Sequence, residues 1–441
     1  MQQTLFFIPH SWFEGPLLIA WLVIGAMVIG YQVWRHGWGE QASGFLPIYG
    51  IVAAIIWFVL PQVEVLGVNP ADPLGPFVKQ GLAVRGYGLF MVAGIAAGTW
   101  LVLLRCRQAG TDPDQILTLA FWMIICGIVG ARTFFVIQNR DLFFGNGMPL
   151  GQTLRNIVDM TKGGLVVYGS LIGGMLAAVV FFRVTRLPFG RLADLIAPGM
   201  VLGLAFGRLG CLMNGCCFGG VCASELPAIQ FPPGSPPYMR QLEEGQLLGL
   251  TTVPYETETA TALDFQLTVQ SVKKDSIAHS LGIEPEQQIS IYAPDSLRVR
   301  HFKTEDVSSS SPTMSGQDLA VIVDTDAGNR MSVPVSSLPA SSLRVHPTQI
   351  YSAITALLLC VALWYFWHVR HSDGEVFALM LILYPIARFL HEIIRRDEAG
   401  QFGTELTISQ WVSVATVLLG FLLFGWFRLH GKAVQVHADP E

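Results

Sequence analysis

Long apolar blocks constrain this chain more than any other feature of its sequence. Eight of the nine blocks have roughly the 20 residues that a helix needs to cross the hydrocarbon core of a bilayer, and the block ending at Phe389 is shorter and continues into charged residues. The nine blocks are Pro16–Val33, Gly44–Leu60, Tyr87–Leu104, Ile116–Ile137, Leu165–Phe182, Leu192–Met213, Ile350–Trp367, Val376–Phe389 and Ile408–Phe427. Lipid offers backbone N–H and C=O groups no hydrogen-bond partner, so each block is predicted to be a helix. The chain is therefore predicted to be an all-α polytopic membrane protein.

Composition supports this prediction. Charged residues make up 13% of the 441 residues and hydrophobic residues 52%, whereas soluble proteins carry roughly 25% charged residues. The first block is not predicted to be a signal peptide, because no Lys or Arg precedes it and Glu14 stands at its edge. We expect no nucleic-acid partner.

Basic residues between the blocks predict the orientation. One set falls in alternate loops: Arg105, Arg107, Arg183, Arg186, Arg191, Arg370, Arg428 and Lys432. With nine spans, this pattern predicts an N-terminus outside the cell and a C-terminus in the cytoplasm. The opposite loops hold a second set, so the bias is moderate: Arg140, Arg155, Lys162, Arg395 and Arg396.

The composition changes between residues 223 and 343. Apolar residues alternate with polar ones in segments such as DFQLTVQSV and LAVIVDT, a pattern typical of half-buried strands. We predict a small, mostly β, extracytoplasmic domain at 223–343, part of which weakly resembles a PDZ domain. The remaining predicted domains are two additional N-terminal helices at 1–82 and a membrane body at 83–222 and 344–441.

Four arginines lie within or against the predicted spans, namely Arg85, Arg132, Arg208 and Arg388. A charged side chain at the bilayer centre costs about 2.5–3.5 kcal/mol on insertion scales. Such arginines are paired, extend to the interface, or serve a function. Four of them together favour a function.

The segment YPIARFLHEIIRRDEAG places Arg388, Glu392 and Arg395 at positions i, i+4 and i+7, on one face of a helix. A carboxylate between two guanidinium groups leaves a net positive face, which suits a phosphate because the guanidinium fork matches its oxygens in pairs. The alternative is an intrahelical ladder of salt bridges at the membrane interface.

Two glycine-rich segments accompany the arginines. Gly203, Gly207 and Gly210 surround Arg208, and GGLVVYGSLIGG contains Gly164 and Tyr168. Glycines of this kind usually allow close helix packing. Beside isolated arginines, they also suggest a cradle for an anionic lipid headgroup.

Five segments in order resemble the prolipoprotein diacylglyceryl transferases of the bacterial inner membrane, over about 83–222 and 344–428. They are VRGYGLFMVAG, GARTFFVI, GGLVVYGSLIGG, DLIAPGMVLGLAFGRLGCLMNG, and HPTQIY followed by YPIARFLHEIIRRD and TISQWVS. The resemblance implies a seven-helix membrane body with a periplasmic head. It also implies transfer of the diacylglyceryl group of phosphatidylglycerol to the lipobox cysteine of a preprolipoprotein, which forms a thioether and releases glycerol phosphate. No cofactor is expected.

The resemblance also assigns the site residues. It gives Tyr168, Arg208, Arg388 and Glu392 as catalytic candidates, and Tyr87, Asn214 and Arg395 as substrate-binding candidates. The arginines and glycines of the predicted spans add Arg85, Arg132 and Gly164 as substrate-binding candidates. The residue chemistry agrees, because a departing phosphate needs cationic groups that Arg208 and Arg388 would supply. Tyrosine, with a pKa near 10, is a poor base, so we expect Tyr168 to position the substrate.

Cysteines depart from the family signature. Cys211 stands where the family has Asn, and Cys216 stands where it usually has an acid, with Cys217 and Cys222 nearby. A disulfide, simple packing of small residues, and metal or redox chemistry are all compatible with this cluster, although the usual C-x2-C spacing of metal sites is absent. We expect no bound metal.

Two other function classes stay open. The chain could be a catalytically silent relative that binds lipid or protein through its inserted domain, or a redox protein that uses the four clustered cysteines. A transporter is less attractive, because the polar residues gather towards one membrane face.

Overall fold

The computed structural model of this protein describes most of the chain. The described residues are 4–9, 12, 15–37, 49–50, 52–53, 56–57, 65–67, 78–144, 149–158, 164, 166–222, 227–254, 266–292, 302–303, 320–326, 328–395, 404 and 406–432. The chain divides into two compact units. The first comprises Met1–Phe90, Leu209–Ile350 and Ile394–Asp397, and the second comprises Met91–Arg208, Tyr351–Ile393 and Glu398–Glu441.

Helices dominate the described residues. They are α1 (Pro16–His36), α2 (Gly86–Gln108), α3 (Pro113–Gln138), α4 (Arg140–Phe144), α5 (Leu150–Val158), α6 (Val167–Thr185), α7 (Phe189–Asn214), α8 (Pro236–Glu243), α9 (Ile277–Ser280), α10 (Thr348–Val369), α11 (Glu375–Ile394) and α12 (Ile408–His430). Eight are long and apolar enough to cross a membrane, so the predicted polytopic fold is confirmed. The predicted block Gly44–Leu60 falls mostly outside the described residues.

Local sequence explains where several of these helices begin. Asp112 accepts a hydrogen bond from the backbone N–H of Asp114, and Pro113 occupies the first turn of α3. Thr407 and Gln410 form a reciprocal capping box at the start of α12. Helix α11 extends five residues beyond the predicted end at Phe389, to Ile394, and therefore carries both Arg388 and Glu392.

Glycines bring helices α3 and α6 of the second unit into close contact. A Cβ atom on Gly169 would collide with the carbonyl oxygen of Gly130, and one on Gly173 would collide with that of Cys126. These glycines of the GGLVVYGSLIGG segment therefore pack against α3, as small residues do in membrane helices. This is the packing alternative that the sequence left open.

Helices α7, α10 and α11 share a core, and a buried carboxylate on α7 binds the start of α11. Asp194 on α7 is fully buried and accepts hydrogen bonds of 2.8 Å from the backbone N–H groups of Gly374 and Phe377, at the start of α11. Arg208 follows Asp194 by fourteen residues, and Arg388 follows Gly374 by fourteen residues. At a rise of 1.5 Å per residue, each arginine lies about 21 Å along its helix from this tie. The two hydrogen bonds of Asp194 to the start of α11 are named the Asp194 tie. Because of this tie, the two arginines lie at matching distances along α7 and α11.

The inserted region forms an antiparallel sheet in the first unit. Its strands are β4 (Leu250–Pro254), β5 (Gln266–Val272), β6 (Gln288–Tyr292), β8 (Ala320–Thr325) and β9 (Arg330–Pro334), in the order β4-β5-β6-β8-β9. Its core includes Leu248, Val269, Ile289, Val321 and Val323. The alternation seen in the sequence buries one face of each strand, so the predicted β-rich insertion is confirmed.

A second sheet was not predicted. It joins β1 (Thr4–Ile8), β2 (Val65–Gly67), β3 (Val78–Arg85) and β7 (Phe302–Lys303) in the order β1-β3-β2-β7. Segments that precede the membrane body thus pair with a strand from within the inserted region. The domain boundaries and the likeness to a PDZ domain stay predictions.

Candidate active site

Arg208 and Arg388 line one cavity in the second unit, here named the arginine pocket. Its other lining residues come from α7, α10 and α11: Leu204, Ser352, Thr355, Ala356, Leu359, Tyr384, Ala387 and His391. The two arginines are 180 residues apart in sequence. All three helices are long and apolar enough to cross a membrane, so the pocket brings two arginines to one cavity between apolar helices.

Arg388 is held in place by its neighbours. Its Nη1 donates to Oε2 of Glu392, one helical turn later, and its Nη2 donates to the Ser409 hydroxyl at 2.9 Å. Glu392 is only 3% exposed and also accepts a hydrogen bond of 3.5 Å from the Thr407 hydroxyl. This network orients one side of the Arg388 fork and neutralises one positive charge.

Arg208 differs from Arg388 in its bonding. It is half-buried in the arginine pocket, and no described residue forms a hydrogen bond or ion pair with its guanidinium group. A cation in this setting favours an anionic ligand, since burying an uncompensated charge is costly. The pocket therefore has a net positive charge when Glu392 is ionised.

His391 lines the arginine pocket, although it was not among the site residues predicted from the sequence. Its Nε2 lies 3.1 Å from the Thr355 hydroxyl on α10. The signal was present in the sequence, because His391 follows Arg388 by three residues and therefore shares its helix face. Tyr384, four residues before Arg388, shares that face for the same reason.

Arg132 and Gly164 form a separate cluster in the second unit. The Arg132 guanidinium donates to the carbonyl oxygens of Asn156, Ile157 and Gly164 at 2.7, 2.7 and 3.1 Å. Gly164 has φ +84°, and a Cβ atom there would lie 2.6 Å from Arg132 Nη1. The pair was predicted to bind substrate. In the structure Arg132 joins the end of α5 to the segment before α6, and neither residue lines the arginine pocket.

The remaining predicted residues lie at helix and strand ends. Tyr168 is the second residue of α6 and is 58% exposed. It does not line the arginine pocket. Tyr87 is 40% exposed, and its ring and carbonyl group pack closely on Gly210 of α7. Arg85 is exposed at the end of β3.

Two predicted residues flank the signature loop of the first unit, defined as residues 215–220. Asn214 ends α7, and its side chain hydrogen-bonds with Cys216. Arg395 directly follows α11 and forms a backbone bridge with Gly219. The HPTQ motif holds the same loop, because Thr348 and Gln349 donate to the carbonyl oxygens of Cys217 and Cys216 at 2.6 and 2.8 Å.

The sequence left open a disulfide within the cluster of Cys211, Cys216, Cys217 and Cys222. None of the seven cysteines, all of which lie among the described residues, forms a disulfide. The sulfur atoms of Cys211, Cys216 and Cys217 lie within 4.8 Å of one another, and Cys222 does not belong to this group.

Comparisons with known proteins agree with this geometry. The family model described as prolipoprotein diacylglyceryl transferase matches residues 76–426. A phosphatidylglycerol–prolipoprotein diacylglyceryl transferase of Rhodopirellula baltica is 33% identical over 95% of this chain and 87% of its own length. The protein of the same name from Clostridium tetani is 23% identical over 78% of this chain and 93% of its own length. That from Deinococcus radiodurans is 40% identical over 35% of this chain and 45% of its own length.

The matched region contains the long helices from α2 to α11, all but the last turn of α12, the arginine pocket and the signature loop. Among the described residues, these are seven helices long and apolar enough to span a membrane, as the resemblance implied for the membrane body. The chain therefore belongs to the prolipoprotein diacylglyceryl transferase family.

Proposed function

We propose that this protein transfers the diacylglyceryl group of phosphatidylglycerol to the lipobox cysteine thiol of a prolipoprotein. The reaction forms a thioether and releases glycerol phosphate. The observation that carries the proposal is the arginine pocket, where Arg208 and Arg388 meet between apolar helices. Phosphatidylglycerol carries one phosphodiester group, which the two arginines can bind. Its acyl chains suit the apolar helices around the pocket.

The bond changes define what the pocket must do. The cysteine sulfur attacks the glycerol carbon that bears the phosphate, the carbon–oxygen bond breaks, and its electron pair leaves with the phosphate. Negative charge therefore grows on the phosphate oxygens in the transition state. Preorganised cationic donors stabilise such charge strongly where water is scarce, by about 100- to 1,000-fold in rate for one donor.

The two arginines contribute differently. Arg208 has a fork that no described residue occupies, so it binds the phosphate oxygens. Arg388 is oriented by Glu392 and Ser409, so its position costs little reorganisation when charge develops. Glu392 thus positions Arg388 and does not itself contact the phosphate.

The thiol must lose a proton, and a free cysteine has a pKa of about 8.5. The positive field of the arginines favours the thiolate over the thiol. Tyr168, exposed at the start of α6, positions the incoming substrate. Tyr87, Arg85, Asn214 and Arg395 are further candidates for substrate binding. Arg132 and Gly164 support this binding by holding the segment before α6.

The decisive experiment uses the purified full chain, phosphatidylglycerol vesicles and a synthetic lipobox peptide. Lipidation is measured by a gel shift, and released glycerol phosphate is measured separately. We expect Arg208→Lys and Arg388→Lys each to lower kcat/KM by about 100-fold or more, because a lysine keeps the charge and loses the fork. Arg240→Lys, at an exposed ion pair with Glu244, is the matched control.

Two outcomes would overturn the proposal. The wild-type protein could fold and bind the lipid yet lipidate no peptide, which is the behaviour of a silent relative. Alternatively, the Arg208 and Arg388 variants could retain full activity, and the arginine pocket would then have no part in the reaction.

A further inference from the structure

Three cysteines that the proposed reaction does not use lie together in the first unit. The sulfur atoms of Cys211, Cys216 and Cys217 are all within 4.8 Å of one another. Each side chain is half-buried, and none of the three cysteines is in a disulfide. Cys211 begins the last turn of α7, and the other two lie in the signature loop. The cluster therefore joins a helix end to the loop that follows it.

The backbone of the loop is shaped to bring the sulfurs together. The N–H groups of Gly215 and Cys216 donate to the carbonyl oxygen of Cys211 at 2.9 and 3.2 Å. Gly215 has φ +78° and Cys217 has φ +58°. The left-handed conformation is unfavourable for a residue with a side chain, so the surroundings must hold Cys217 in it.

Helix α10 provides that support. Thr348 and Gln349 are each only 1% exposed, and they donate to the carbonyl oxygens of Cys217 and Cys216. The second side-chain atom of Gln349, Oε1, is buried and has no hydrogen-bond partner in the described part of the chain. The amide that holds the carbonyl oxygen of Cys216 thus carries a buried acceptor without a hydrogen-bond partner among the described residues.

Three sulfur donors at this separation match the coordination of a soft metal ion. Metal–sulfur bonds of about 2.3 Å place three sulfurs around one ion about 4 Å apart, which small side-chain rotations reach from the present arrangement. Thiolates select Cu+ and Zn2+ over harder cations. Among the described residues, no histidine, aspartate or glutamate joins the group.

We propose that Cys211, Cys216 and Cys217 bind one thiophilic ion, Cu+ or Zn2+. Each thiol releases one proton as its sulfur bonds the ion, so one ion displaces three protons. Cu+ is complete with three sulfurs, whereas Zn2+ takes a water as its fourth ligand. The bound ion links the end of α7 to the signature loop and stabilises the loop by mass action.

The test measures binding directly and does not depend on transferase activity. The reduced, metal-free full chain is titrated in detergent with Cu+ or Zn2+ against a chromophoric chelator. We expect one equivalent to bind with release of three protons and an increase in Tm. The triple variant Cys211→Ser, Cys216→Ser, Cys217→Ser should lose this binding. Cys126→Ser, which changes a half-buried cysteine on α3 that does not belong to the trio, should retain it.

The two titrations distinguish the ions, and one equivalent of either one supports the site. If the triple variant fails to fold, Cys217→Ser alone replaces it, and binding should then weaken at least 100-fold. Three results would overturn the proposal. The first is that neither ion binds the wild-type protein, and the second is that the variants bind as tightly as the wild type. The third is that freshly purified protein contains a disulfide within the trio, so that fewer than seven thiols are reduced.

Discussion

The bonding of single side chains decides the chemistry that the arginine pocket can perform. Arg388 is fixed by Glu392 and Ser409, whereas the guanidinium N–H groups of Arg208 can donate to a ligand. Two guanidinium groups would repel each other in an apolar cavity. The buried carboxylate of Glu392 offsets that repulsion, and a bound phosphate would complete the charge balance.

His391 and Thr355 allow a prediction at this scale. The histidine lies on the same helix face as Arg388 and contacts the Thr355 hydroxyl at 3.1 Å. We expect His391→Gln and Thr355→Val each to lower kcat/KM about 10-fold, because each breaks the bond that closes one wall of the pocket.

A double-mutant cycle checks this prediction. The double variant should be no worse than the more impaired single variant, since both remove the same interaction. Additive losses would show that the two side chains act separately. Thr416→Val on α12, whose hydroxyl bonds the carbonyl oxygen of its own helix, is the control for loss of a threonine hydroxyl.

At the scale of helices, close packing and one buried carboxylate set the positions of the functional groups. Glycines allow α3 and α6 to approach until backbone contacts backbone. Asp194 joins α7 to the start of α11 and also lies 3.6 Å from Arg370. These are contacts between segments far apart in sequence, and each tolerates little change in volume or charge.

Neighbouring glycines on α6 provide a matched pair of variants. A Cβ atom on Gly173 would collide with the carbonyl oxygen of Cys126, whereas one on Gly174 would lie 3.7 Å from that of Met123. We expect Gly173→Ala to lower Tm by several degrees. Gly174→Ala should leave Tm unchanged or raise it, because alanine favours a helix by about 0.5–1 kcal/mol over glycine. Equal effects in thermal unfolding would contradict this packing.

Asp194 allows a second prediction for the helices. Asp194→Ala removes the acceptor of two buried backbone N–H groups and the partner of Arg370. Leaving such groups unpaired costs about 3–5 kcal/mol, so we expect a large decrease in Tm and a loss of transferase activity. Asp112→Ala, which removes the exposed N-cap of α3, should cost only about 1 kcal/mol. If the two variants had similar Tm values, the hydrogen bonds of Asp194 would not be what holds α7 to the start of α11.

At the scale of the whole molecule, the sheet-forming insertion and the membrane helices place different demands on their surroundings. The insertion buries a core of its own between β4 and β9, whereas the long helices expose apolar side chains along much of their length. Such surfaces require lipid. We propose that the insertion lies outside the bacterial cytoplasmic membrane, with the C-terminus in the cytoplasm.

Cysteine labelling tests this topology. Glu284→Cys, in the insertion, should react with a membrane-impermeant maleimide in spheroplasts. Gln108→Cys, at the end of α2, should react only after the membrane is permeabilised. Both positions are exposed, and the unsubstituted chain shows the background from its seven cysteines. The reverse pattern would place the insertion in the cytoplasm.

The sequence alone determined the properties that depend on neighbouring residues. Apolar blocks predicted the long helices, because a backbone in lipid has no alternative to internal hydrogen bonds. Period-two alternation predicted the inserted sheet. The spacing of Arg388 and Glu392 predicted their ion pair, since residues four apart on a helix are adjacent.

Only the tertiary structure decided which distant groups meet. Arg208, Thr355 and His391 come together because helix packing and the Asp194 tie fix three helices in register, and no local pattern encodes that register. The same holds for the three cysteine sulfurs, whose separation depends on bonds from α10. It also explains why Arg132, selected for its charge, proved to hold backbone carbonyl groups: the partners of a charge in an apolar setting are set by what folds against it.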